Sequence, residues 1–172
     1  AVGRIVMRTA AQNLTPVTLE LGGKSPAVVS RHYPLADAAR RITHGKSVNG
    51  GQICIAPDYA LVPRESVDAF VAAVRTGFEA MYGGHAEGNP PFTRVVSDRQ
   101  LQRLQAALDD ARAKGATVTA CAPLPAAGNR QLPLHIVTGA TPDMTVLQEE
   151  LFGPGLPVVP YDQLDDAIAF IH

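Results

Sequence analysis

Apolar positions along the chain recur with two periods, one near 3.6 residues and one near 2, and the switches between them mark the elements. Val2, Ile5, Val6 and Ala10 share one helical face within residues 1–13, and Pro16 stops that helix. Val17, Leu19 and Leu21 alternate with Thr18 and Glu20, which predicts a short strand ending at Gly22-Gly23. Residues 27–29 predict a second strand. Residues 35–48 predict a helix that ends at Asn49-Gly50-Gly51, a left-handed stop signal. Residues 59–62 read as a strand stopped by Pro63. Val67, Phe70, Val71, Val74, Phe78 and Met81 keep helical spacing up to Gly83-Gly84. Ser97 and Gln100 form a capping-box pattern ahead of Leu101, Leu104, Leu108 and Ala111, and Gly115 ends that helix. Residues 117–121, 134–137 and 156–159 read as strands, 123–127 as a Pro/Ala loop, and 164–171 as a helix. Strands separated by helices of this length predict an α/β fold, a mostly parallel open sheet with helices on both faces.

Composition adds limits. At 172 residues the chain is about one domain. Fifteen Lys and Arg against 16 Asp and Glu give a net charge of −1, which removes the electrostatic case for nucleic acid or an anionic membrane surface. No apolar run approaches membrane-spanning length. Two cysteines, Cys54 and Cys121, do not make a disulfide framework, so a reducing, cytoplasmic setting is expected. The first residues lack both an initiator Met and the order of a signal peptide, and the expectation is an excised or processed piece.

Three places carry candidate chemistry. Cys54 follows Asn49-Gly50-Gly51-Gln52-Ile53, a flexible approach that can present a thiol to a substrate; a small buried hydrophobe is the bland alternative. His44, ten residues upstream, falls on the solvated side of its helix and offers no base. Glu20 reads either as a solvated strand residue or as a general base beside a Gly pair that lets a ligand approach closely. Glu149-Glu150-Leu151-Phe152-Gly153-Pro154 reads either as a charged loop with one buried ring, or as a carboxylate for ribose hydroxyls with an aromatic ring beside a flat cofactor. Gly22-Gly23-Lys24-Ser25 ends like a phosphate loop, but the upstream Gly is missing and Pro26 replaces a following helix. The five scattered His give no metal-ligand spacing.

Together these strings resemble the aldehyde dehydrogenase family. Thr18-Leu19-Glu20-Leu21-Gly22-Gly23-Lys24-Ser25-Pro26 is similar to its glutamate motif, Gly51-Gln52-Ile53-Cys54 to its cysteine motif, and Glu150-Leu151-Phe152-Gly153-Pro154 to its third signature. Glu20 and Cys54 stand 34 positions apart, the family spacing. Cys54-Ile55-Ala56-Pro57-Asp58-Tyr59 and the short loops resemble coniferyl aldehyde dehydrogenases. Ile53 departs from the usual Thr or Cys, and Gly50 stands where Ala is common; both bear on substrate fit.

The resemblance implies a catalytic-domain segment truncated at both ends. Residues 1–21 would be the tail of the NAD-binding domain, with Gly3 the last glycine of its phosphate turn, and 22–172 an incomplete catalytic domain. It implies Cys54 as nucleophile and Glu20 as base, with Glu150 on the nicotinamide ribose, Phe152 near the nicotinamide, and the Leu21-Gly22 backbone lining that ring. The cofactor would be NAD or NADP, the partner a small-molecule aldehyde, aromatic such as coniferyl aldehyde, and the full-length parent a homodimer or homotetramer. The 172 residues alone are expected to be inactive. Two other functions stay open: a cofactor-independent thiol esterase using Cys54 and Glu20, and a non-catalytic assembly module.

Overall fold

A computed structural model describes residues 2–83, 92–123 and 130–172. Helix α1 (Val2–Ala11) is followed by an irregular stretch to strand β1 (Pro26–Val28). Then come α2 (Leu35–Ser47), β2 (Tyr59–Pro63), α3 (Val67–Tyr82), α4 (Asp98–Ala113), β3 (Thr117–Ala120), β4 (His135–Thr138), a one-turn α5 (Thr145–Gln148), β5 (Gly155–Tyr161) and α6 (Leu164–Ile171).

The strands form one sheet in the order β1-β2-β5-β4-β3. Three of its pairings are parallel, and β3 runs antiparallel to β4 at the edge. The register sets Ala60 beside Val158 and Ile136 beside Leu156. Alternate residues then feed two faces. Ala60, Val62, Ile136, Leu156 and Val158 pack under α2 and α3 with Ala39, Ile42, Phe70, Val74 and Phe78. On the other face Val137 joins α4 through Leu104, Leu108 and Ala111. Tyr59, Leu61, Val159 and Tyr161 cluster there with Ala167 of α6. The mostly parallel sheet covered on both faces is therefore as the sequence predicts.

Element by element the pattern reads well, with two corrections. Residues 17–21 form no strand, and Val17 and Leu21 are exposed. Alternation marks a residue set able to pair, but a strand exists only as a ladder, and no described strand lies alongside this segment. The capping box on α4 is half made. Ser97 Oγ accepts the Gln100 N–H at 3.3 Å, while the Gln100 side chain turns to Arg103 instead of back to the cap. The left-handed stop after α2 is real, with φ of +52°, +63° and +74° at Asn49, Gly50 and Gly51. Gly84 and most of the Pro/Ala run 123–127 lie outside the described residues.

The topology has a consequence for chemistry. Lys24-Ser25, Cys54 and Glu150-Phe152 each lie within a few residues of the start of a strand, β1, β2 and β5 respectively. Those three strands are neighbours and parallel, so all three motifs gather at one amino-end edge of the sheet. The carboxyl ends are stitched differently. Arg31 pairs with Glu65 at 2.6 Å and donates to the Asp162 carbonyl at 2.9 Å, and Arg64 pairs with Asp162 at 2.8 Å.

Candidate active site

Cys54 sits in the loop between the left-handed turn and β2. Gln52 pins that loop: its amide donates to the Asn49 and Arg94 carbonyls at 2.9 and 3.1 Å, and its Oε1 accepts the Val96 N–H at 2.9 Å. The Cys54 carbonyl accepts Ser25 Oγ at 3.2 Å, tying the cysteine loop to the Gly-Gly-Lys-Ser segment. The Cys54 side chain is exposed. Its backbone N–H makes no backbone hydrogen bond among the described residues. Cys121 differs: it is half-buried, and desolvation pushes its thiol up to about 12. Timed iodoacetamide labelling read by peptide mass spectrometry is expected to modify Cys54 first, at least about tenfold faster than Cys121, because the thiolate is the reactive form. Equal rates would remove the distinction.

The other sequence candidates fall into two groups. Glu150 reaches the Gly pair: its Oε2 accepts the Gly23 N–H at 3.2 Å, and a Cβ on Gly22 would stand 2.8 Å from the same oxygen. The Glu150 carboxylate thus lies against the open side of Gly22. Gly3 packs on the segment that carries Glu20, since a Cβ there would meet Leu21 at 2.9 Å and Leu19 at 3.5 Å. Glu20 and Leu21 are exposed, and no hydrogen bond joins Glu20 to Cys54 among the described residues. Phe152 is 43% exposed and holds a left-handed φ of +46°, unusual for a ring-bearing residue.

What holds these loops together is a network that sequence reasoning missed. Asp58, buried one residue before β2, forms an ion pair with Lys24, lies 3.6 Å from Lys46 Nζ, and accepts the Leu151 N–H at 3.1 Å. Its own N–H donates to the Ser25 carbonyl at 2.8 Å. Lys24 also donates to the Val146 and Glu149 carbonyls at 3.1 and 2.8 Å. Lys46 is 1% exposed; burial lowers its pKa to about 8, and the attraction of Asp58 opposes that fall. One signal of Lys46 is in the sequence. Ala38, Ile42 and Lys46 are spaced by four on the buried face of α2, so a charge falls on an apolar stripe. Lys24 is thereby bound to Asp58, and Pro26 opens a strand, which disposes of the phosphate-loop likeness.

Backbone contact completes the junction. A Cβ on Gly51 would lie 2.5 Å from the Gly153 carbonyl oxygen, and one on Gly153 would collide with Leu104 at 2.5 Å. The cysteine loop and the Phe152 loop therefore touch main chain to main chain. Among the described residues no group of His, Cys, Asp and Glu could hold a metal ion, and no helix is long and apolar enough to cross a membrane.

The chain belongs to the aldehyde dehydrogenase family, whose model matches residues 1–171. A probable coniferyl aldehyde dehydrogenase of Pseudomonas aeruginosa is 51% identical over the whole chain, which spans 36% of that relative's length. Among solved structures, a substrate-bound state of Staphylococcus aureus AldH superposes with a TM-score of 0.88 at 37% identity, over 99% of this chain and 36% of its own. A Mycobacterium tuberculosis aldehyde dehydrogenase complexed with NAD+ gives 0.87 at 33% identity, with the same shares covered. The chain thus corresponds to roughly a third of these proteins.

Proposed function

We propose that this chain is the catalytic segment of an NAD(P)-dependent aldehyde dehydrogenase acting on an aromatic aldehyde of the coniferyl type. Residues 1–21 are read as the end of the cofactor-binding domain and 22–172 as catalytic domain. The observation that carries the reading is the convergence of the Cys54, Gly22-Gly23 and Glu150-Phe152 loops at one sheet edge. The substrate class rests on the name of the Pseudomonas aeruginosa relative.

The residues present suit a nicotinamide nucleotide. Glu150 keeps a carboxylate at the surface with one oxygen already on the Gly23 N–H, leaving acceptor capacity for ribose hydroxyls. Gly22 lets the Glu150 carboxylate lie against the main chain, and the exposed Phe152 ring offers a flat apolar face. When bound, the nicotinamide supplies the hydride acceptor for the oxidation.

The chain's own residues do the rest. An ordinary thiol is mostly protonated at neutral pH, so the nucleophile needs a base. Glu20, directly or through a water, takes the Cys54 proton, and the sulfur adds to the aldehyde carbon. The C–S bond forms as the carbonyl oxygen becomes an oxyanion. The unengaged Cys54 N–H donates to that oxygen. Loss of hydride from the carbon leaves a thioester on Cys54. Glu20 releases the thiol proton to solvent and then removes a proton from water, which attacks the thioester carbon. The C–S bond breaks, the acid leaves, and the sulfur recovers its proton.

The test uses a chain of the relatives' length that contains this segment. Coniferyl aldehyde and a short aliphatic aldehyde, each with NAD and with NADP, are followed by nicotinamide reduction. Turnover with the aromatic aldehyde in excess supports the reading. Silence in all four, with nitrophenyl acetate still hydrolysed, would replace it by the cofactor-independent esterase. Glu20→Gln is expected to slow hydrolysis of the thioester most, so rapid-quench mass spectrometry should find Cys54 carrying the acyl group. A variant that is slow and carries no adduct would take Glu20 out of the second half of the reaction.

A further inference from the structure

Resting on the nicotinamide reading above, we propose that Arg103 is a positioning residue. From α4 it fixes the two peptide planes that aim Glu150 and Phe152 at the cofactor. Arg103 lies in none of the three motifs. Its guanidinium has no carboxylate partner among the described residues. Nη1 donates to the Glu150 carbonyl at 3.2 Å, Nη2 to the Leu151 carbonyl, and Nε to Gln100 Oε1 at 2.8 Å.

Those two carbonyls are the ones that matter. The Glu150 carbonyl and the Leu151 N–H belong to one peptide plane. Arg103 holds its oxygen and Asp58 holds its N–H at 3.1 Å, so the plane is gripped from both sides. The Leu151 carbonyl belongs to the next plane, and its orientation sets φ of Phe152. A φ of +46° is one a phenylalanine adopts only when its surroundings impose it. A planar fork with several fixed donors does this; an ammonium is a point charge whose donors rotate and fix neither plane in that geometry. The next residue, Leu104, fills the space against Gly153, so α4 supports the loop by packing as well as by charge. Besides the Gly51–Gly153 approach, Cys54 is held by contacts that Arg103 does not make, from Ser25 and the Gln52 turn. The inference therefore separates cofactor placement from the nucleophile.

The experiment compares wild type, Arg103→Met and Arg103→Lys in a chain of the relatives' length. NADH binding is read by fluorescence, hydrogen exchange of segment 149–153 without ligand, Cys54 by its alkylation rate, and KM for NAD and for aldehyde separately. In Arg103→Met, exchange in 149–153 should rise at least tenfold, with α2 and α3 unchanged. The Kd for NADH and KM for NAD should rise about tenfold, while Cys54 alkylation and the aldehyde KM stay within twofold. Arg103→Lys should keep less than half of the lost affinity. Faster exchange throughout the chain would indicate general destabilisation and overturn the inference, as would full rescue by Lys. Wild type that binds NADH, with Arg103→Met binding it equally well, overturns the inference alone. Wild type that binds no NADH overturns it together with the reading it rests on.

Discussion

In a chain of the relatives' length, replacing Cys54 by Ala is expected to lower aldehyde oxidation by about 10⁴-fold or more, the scale seen when a nucleophile that acts as one unit with its base is removed. Stability should barely move. The side chain is exposed, its thiol is not part of the Asp58 network, and surface substitutions usually lie within about 0.5 kcal/mol. Initial rates of nicotinamide reduction and a urea midpoint on the same preparation check both halves. Unchanged rates would remove Cys54 from the chemistry. A collapsed midpoint would show that Cys54 matters to the fold, which its exposure argues against. The carbonyl of Cys54 and the loop that carries it keep their bonds to Ser25 and Gln52 in this variant, so the site should lose its sulfur and little else.

The second large effect concerns the fold. Asp58→Ala leaves Lys46 buried without the carboxylate that offsets its desolvation, and strands the Leu151 N–H. Breaking a buried pair by removing one partner costs about 3–5 kcal/mol. That is a large share of the roughly 5–15 kcal/mol that holds a domain folded. The denaturation midpoint should fall accordingly. The double variant Lys46→Met, Asp58→Leu should recover much of it, because apolar replacements of a buried pair are often neutral or better. Lys24 is only partly buried and can turn its ammonium to water. Recovered stability without recovered exchange protection of the Leu151 N–H would separate the offset of the Lys46 charge from the grip on the Phe152 loop. A single variant as stable as wild type would contradict the burial of Lys46.

Much of this was legible in the sequence, for identifiable reasons. Helices α2, α3, α4 and α6 each satisfy their own backbone, so spacing alone locates them: Phe70, Val74 and Phe78 are fully buried on one face of α3. The strand read at residues 17–21 failed because pairing is a relation between segments, which alternation in one segment does not contain. At the site, the motif strings named the exposed chemistry. They did not name what supports it. Lys46 looks like any lysine on a helix until its register with Ala38 and Ile42 is followed. Arg103 looks like one of many surface arginines until β5 brings residues 150 and 151 beneath it. Long-range geometry decides both, and no local pattern carries it.

The two edges of the sheet place the site in an unusual position. Open α/β sheets commonly bind ligands at the carboxyl ends of their strands, where loops after each strand form a crevice. Here the loops before β1, β2 and β5 carry the candidate chemistry, and the opposite edge is closed by Arg31, Glu65, Arg64 and Asp162. A search guided by topology alone would pass over the rim that carries the candidate residues. The same polarity gives the domain a handle. Exposed ion pairs of this kind contribute little to stability. A fluorophore, tether or fused module attached at the Arg64–Asp162 rim would sit across the sheet from the reactive loops.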